Sequence, residues 1–184
     1  MTNAFGQFLA ATTQLAPFFK NDIEVVNYAL TLEHLEAAFY TQVVSGGKLQ
    51  GNALKYLTVI RDHEVTHVTE LSKAITAAGG TPVKARQSYN FAALGDMNTQ
   101  DGILKIAETL EMTGVGAYNG AAREISNKTY LGVAGSIVAV EARHTAIVRA
   151  LINPNGNPVP KSFESVIKPQ DVLNTVGPLL GPES

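Results

Sequence analysis

Two short segments of this 184-residue chain share a pattern suited to holding metal ions. Glu64-Val65-Thr66-His67 and Glu141-Ala142-Arg143-His144 each put a carboxylate three residues before an imidazole. On a helix, residues three apart lie on one face, one turn from each other. Such a pair can serve one cation together, and the carboxylate keeps an oxygen for a second. The chain has four histidines, so the two Glu-x-x-His pairs use half of them. Two more glutamates, Glu33 and Glu111, close the matching triplets Thr31-Leu32-Glu33 and Thr109-Leu110-Glu111. Glu64 follows Glu33 by 31 residues, and Glu141 follows Glu111 by 30. A tyrosine stands seven residues past each, Tyr40 and Tyr118. The chain reads as two copies of one unit related by a pseudo-twofold axis.

All six candidate ligands fall where the helix pattern calls for core. Glu33 lies between Leu30 and Ala37, and Glu64 and His67 between Ile60 and Leu71. Glu111 lies between Ala107 and Val115, and Glu141 and His144 between Ile137 and Val148. An isolated buried carboxylate is very unfavourable, and four converging ones repel and raise one another's pKa values. Two divalent cations remove the conflict, since four carboxylates and two neutral imidazoles then leave no net charge. Oxygen and imidazole donors suit iron or manganese. The competing reading, in which the helix phase is off and these glutamates are solvated, does not account for two Glu-x-x-His pairs within a repeat.

Four helices must position these residues. Asn21 and Asp22 mark the start of the first, which Gly46-Gly47 closes. The second is expected from about Asn52 to Ala78, stopped by Gly79-Gly80-Thr81-Pro82. Asn98 or Thr99 caps the third, and a link near Asn127 leads to a fourth that ends at Asn153-Pro154-Asn155-Gly156. The fourth is expected to bury Val133, Ile137, Val140, Ile147, Val148 and Leu151. Short links make helices 1 and 2, and 3 and 4, antiparallel hairpins. Residues 81–98 show no period and are long enough to run the length of a helix. The expectation is an all-α, ferritin-like four-helix bundle of two antiparallel hairpins with one long crossover. It occupies residues 21–152, with an N-terminal segment over 1–20. A proline-rich C-terminal tail over 153–184 packs on the bundle, with one short helix near Gln170–Val176.

Composition excludes much else. With no cysteine there is no disulfide, zinc ribbon or thiol nucleophile. A net charge of -2 without a basic stripe argues against nucleic acid. No stretch reads as apolar enough to span a bilayer, and residues 1–20 lack a signal peptide's positive start. A cytoplasmic location is expected, or export if a leader precedes. Charged residues are 16% of the chain, which suits a homo-oligomer.

The segment Ala29-Leu30-Thr31-Leu32-Glu33-His34-Leu35-Glu36-Ala37-Ala38-Phe39-Tyr40 resembles the first helix of the ferritin-like domain family of desiccation- or stress-related proteins. The resemblance covers roughly residues 20–152, and the tail is similar too. It implies a di-iron centre, with manganese as the alternative, that oxidises Fe(II) with oxygen or peroxide. It also implies Glu33 and Glu111 as terminal ligands, Glu64 and Glu141 as bridges, and His67 and His144 as terminal imidazoles. Without a Cys-x-x-Cys module the chain departs from rubrerythrins. Its second complete Glu-x-x-His departs from manganese catalases, so a dimanganese catalase is a lesser alternative. A stress-binding or structural protein that metals merely stabilise is another.

The neighbours divide less sharply. Tyr40 and Tyr118 are either core aromatics bonded to a carboxylate or residues that act in the chemistry, by orienting the opposite half's glutamate or supplying an electron. His34 and His63 are expected to face solvent or another subunit. Glu36 and Glu108 are expected at the rim, with a seventh ligand or a way in for iron as the alternative; Glu70 is expected at the surface. Arg143 is either a partner of the ligand shell or a surface charge. Gly114, Gly116 and Gly120 are expected to allow close helix approach or a channel.

Overall fold

The computed structural model describes residues 17–183; the N-terminal segment expected over 1–20 lies outside them as far as residue 16. Helix α1, Asp22–Ser45, begins where the Asn21 side chain accepts a hydrogen bond from the Glu24 amide. Helix α2 spans Gly51–Ala77 and α3 spans Gln100–Ala121, whose cap Thr99 accepts from the Gly102 amide. Helix α4, Lys128–Ile152, is capped by Asn127, and α5, Pro169–Val176, carries proline in its first turn. Each cap satisfies an amide that the first helical turn leaves without an internal partner.

α1 packs along α2 and α3 along α4; the hairpins then meet α1 to α3 and α2 to α4. Leu30, Phe39, Tyr40, Leu57, Ile75 and Val148 have no exposed surface. Burying an aliphatic side chain of this size contributes roughly 1.5–3 kcal/mol. At the end of α2, Gly79 takes φ +78, a left-handed value that a side chain disfavours. This turn lets the Gly80 amide reach back to the Ile75 carbonyl.

The crossover, residues 78–99, follows α1. Asn27 donates to the Thr81 carbonyl and accepts from the Val83 amide. His34 therefore faces the crossover, with Nε2 3.2 Å from the Val83 carbonyl. The tail lies on α3: the Ile167 amide donates to the Gly116 carbonyl, and Asn119 donates to that of Ser165. A Cβ on Gly120 would sit 1.8 Å from the Ile167 carbonyl oxygen. Gly116 and Gly120 thus admit the extended tail, where close helix approach or a channel was expected. Beyond α5 the chain pairs with the crossover through Tyr89 and Leu180 and through Arg86 and Glu183.

Two expectations for α4 need correction. Val133 is 41% exposed, because the first turns of α4 show their outer side to solvent. The helix is also apolar enough, at a mean hydropathy of 1.3 over its most apolar window, to cross a bilayer by length and composition alone. Its Glu141 and His144 are nevertheless buried in the bundle, and 33% of that window is buried in all.

Candidate metal centre

Halfway along the bundle, each long helix turns acid into the core. Glu33, Glu64, Glu111 and Glu141 have no exposed surface and His144 only 2%. His67 is partly exposed. Glu33 and Glu111 come from the well-covered helices α1 and α3. The two Glu-x-x-His pairs come from α2 and α4, which keep a side toward solvent.

The six side chains form two clusters that share two members. Glu33, Glu64, His67 and Glu141 make the first, and Glu64, Glu111, Glu141 and His144 the second. Within each, one ligand atom per residue lies within 4.8 Å of all the others. His67 Nδ1 is 3.0 Å from Glu33 Oε2, 3.1 Å from Glu64 Oε2 and 3.3 Å from Glu141 Oε1. His144 Nδ1 is 3.0 Å from Glu64 Oε1, 3.3 Å from Glu111 Oε2 and 3.9 Å from Glu141 Oε2. Glu64 and Glu141 thus each give one oxygen to each cluster, while Glu33 and Glu111 serve one apiece.

The tyrosines cross between the halves. Tyr40 donates to Glu111 Oε1 and Tyr118 to Glu33 Oε1, both at 2.5 Å. Each phenol occupies the oxygen of the terminal glutamate that faces away from the cluster. Tyr118 also lines an apolar cavity with Val25, Tyr28, Ala29, Leu71 and Tyr130.

Without cations the cluster is held together by protons. Burial pushes the Glu33 carboxyl up to about 7, against the pull of His67. Glu111 and Glu141 rise well above the usual carboxylate range, first from burial and then from neighbouring carboxylates. Burial would raise Glu64 too, but His144, His67 and Glu33 hold it at about 2. Burial would lower the His67 imidazole, yet Glu33 and Glu64 lift it to about 10. Several acceptors remain without a hydrogen-bond partner: Glu64 Oε1, Glu111 Oε2, both Glu141 oxygens and His144 Nδ1. Buried polar atoms are rarely left unpaired. Unpaired atoms of ligand type that converge from four helices fit a pair of cations.

One of the neighbouring residues sits differently from expectation. Glu36 is buried at 3% exposure, not at the rim, because it lies one helical turn from Glu33 on the same face. That spacing was the signal that could have found it. His63 is exposed, as expected, yet its Nδ1 lies 2.9 Å from His144 Nε2. Nothing local announces this contact, which joins residues 81 apart. Glu108 is at the rim, as expected, and accepts a hydrogen bond from Arg149 at 2.8 Å. Arg143 and Glu70 are exposed.

No curated protein matches this chain. The sequence profile of the ferritin-like domain matches residues 21–154, which takes in all four long helices and both clusters. With that match over a bundle that carries two buried Glu/His clusters able to coordinate a dinuclear metal, the chain belongs to the ferritin-like domain family.

Proposed function

We propose that this protein is a di-iron redox protein that oxidises Fe(II) with oxygen or peroxide, removing an oxidant and free ferrous iron together. The observation that carries the reading is the shared pair Glu64 and Glu141, each aiming one oxygen at each cluster. Glu64 and Glu141 would hold two ions in adjacent positions, and such a pair would act as a two-electron unit. When bound, two Fe(II) ions supply the two electrons that, with two protons, reduce a peroxide to two waters.

The protein's own groups prepare the site. Four carboxylates balance the charge of two divalent ions without help from solvent. Tyr40 and Tyr118 hold the terminal glutamates by their outward oxygens, which leaves the inward ones for metal. These phenols are the candidates for catalytic residues, each with a hydroxyl proton next to the centre. Burial holds both phenols well above their ordinary pKa, so they keep that proton. The apolar cavity lies against Tyr118, the phenol that holds Glu33, which supports approach of an uncharged oxidant from that side.

The test is anaerobic loading with Fe(II) followed by admission of air or peroxide. Two ions per chain and oxidation well above the buffer rate are expected; trace binding or buffer-rate oxidation would sink the reading. A second reading is favoured by the complete burial of the four carboxylates: metals that chiefly stabilise a desiccation- or stress-related protein. It requires a large rise in melting temperature with metal and no turnover. Oxygen evolution from peroxide by the manganese-loaded protein would instead support a catalase.

A further inference from the structure

The two halves match at every candidate ligand, so the places where they fail to match are informative. Three residues past Glu33 stands Glu36; three residues past Glu111 stands Gly114. These counterparts face each other. A Cβ on Gly114 would lie 3.2 Å from Glu36 Oε1, 3.5 Å from Glu36 Oε2 and 3.4 Å from Glu141 Oε2. One half has given up its side chain at the point where the other half inserts a carboxylate. Glu36 Oε1 is buried and has no hydrogen-bond partner. The charges it feels most are those of Glu141 and Glu111, which belong to the second cluster.

A second mismatch falls on the same side. The residue before Glu64 is His63, and the residue before Glu141 is Val140. His63 stacks on His144, with ring centroids 5.2 Å apart and planes 15° apart, and its Nδ1 meets His144 Nε2. A hydrogen bond to the outer nitrogen of a ligating imidazole fixes the ring's tautomer and direction. Val140 has no group that could do this for His67.

We propose that Glu36 is a seventh metal ligand, that it serves the Glu111–His144 position, and that this position is therefore the tighter of the two. The inference rests on the reading that the two clusters hold metal, though not on which metal. Glu36 stands outside the 4.8 Å set of the second cluster, so it joins by a change of side-chain rotamer from its place above Gly114. The first position has three carboxylates and one imidazole. The second has four carboxylates and an imidazole oriented from behind. An added anionic oxygen donor raises the affinity for a hard divalent cation.

The experiment is a calorimetric titration of the metal-free full chain with Mn(II), compared with E36Q, G114A and H63V. Circular dichroism confirms that each variant is folded. The wild-type chain is expected to bind two ions in two resolved steps. E36Q should still bind two ions, with the tight step weakened about tenfold or more and merged with the weaker one, a loss of the size seen when groups supporting a metal are removed. G114A keeps the carboxylate but occupies its space, and should weaken the same step. H63V should weaken it less. Electron paramagnetic resonance of the first Mn(II) bound gives an independent readout, since its spectrum should change in E36Q. Two ions bound by wild type with an unchanged titration in folded E36Q would overturn the proposal alone. No Mn(II) binding by wild type would overturn it together with the metal-centre reading.

Discussion

The hairpin α1–α2 and the hairpin α3–α4 carry the same chemistry on different packing. Where α1 has Ala38 and Gln42, the matching positions of α3 are Gly116 and Gly120, and the tail lies in the groove they leave. Where α1 has Glu36, α3 has Gly114. The crossover covers α1 through polar contacts from Asn27 and His34, whereas the tail covers α3 through backbone contact at Gly116. The six candidate ligands tolerate none of this freedom, because Glu64 and Glu141 must each reach both clusters at once. The repeat holds at the six candidate ligands; it breaks where each half meets its own cover and, beside the centre, at Glu36 and His63.

The largest effects should come from residues that belong to both halves. E64Q or E141Q should reduce metal content from two ions to one or none. Each should slow Fe(II) oxidation by about 100-fold or more, since losing groups that only orient a ligand already costs 10–100-fold. E33Q or E111Q should leave one position able to bind. Elemental analysis and stopped-flow absorbance separate these outcomes, and equal loss in all four variants would break the distinction between bridging and terminal glutamates.

G120A probes the cover. A methyl group set against the Ile167 carbonyl must displace the tail, at about 1–3 kcal/mol for overpacking. The helix propensity gained by replacing glycine offsets up to about 1 kcal/mol. A lower urea midpoint is expected. The comparison substitution Q42A, at the matching and exposed position of α1, should be nearly silent.

The metal-free protein should respond to pH in a defined direction. Glu33 is raised from 4.5 to about 7 and His67 from 6.5 to about 10. Both contribute stability that is complete below their unfolded values and is lost as pH climbs through the folded ones. Glu64, lowered from 4.5 to about 2, contributes above 4.5 and loses its contribution as pH falls toward 2. With chelator present, the melting temperature should peak near about pH 5 and fall toward about pH 9. Metal affinity should run the other way, rising with pH as the ligands shed their protons. A melting temperature that does not change over this range would show that the buried acids do not carry these protons.

The smallest effects compare the two tyrosines. Y40F and Y118F each remove one hydrogen bond to a buried glutamate and should cost about 1–2 kcal/mol. Similar losses in stability with a larger fall in oxidation rate for Y118F would set the Glu33 side, next to the apolar cavity, as the side the oxidant reaches. Equal falls would restore the symmetry.

The sequence alone was enough to place the long helices, because their ends are written locally. Asn21, Thr99 and Asn127 cap amides within three residues, and the Gly46-Gly47 and Gly79-Gly80 pairs turn the chain. It was also enough to name the six residues that meet in the two clusters, since a three-residue spacing fixes a helix face and the repeat supplies the second copy. Other features depended on surfaces that are distant in the chain. The spacing from Glu33 gives the face of Glu36, but its burial also needs the missing side chain at Gly114, on another helix. Close helix approach expected at Gly116 and Gly120 failed because the partner is the tail, some fifty residues later, with no periodic pattern to predict its path. His63 reaches His144 and Tyr40 reaches Glu111 across the bundle, at separations of 81 and 71 residues. Helical spacing determines which residues share a face. Which faces then meet is decided only when four helices, a crossover and a tail compete to bury the same core.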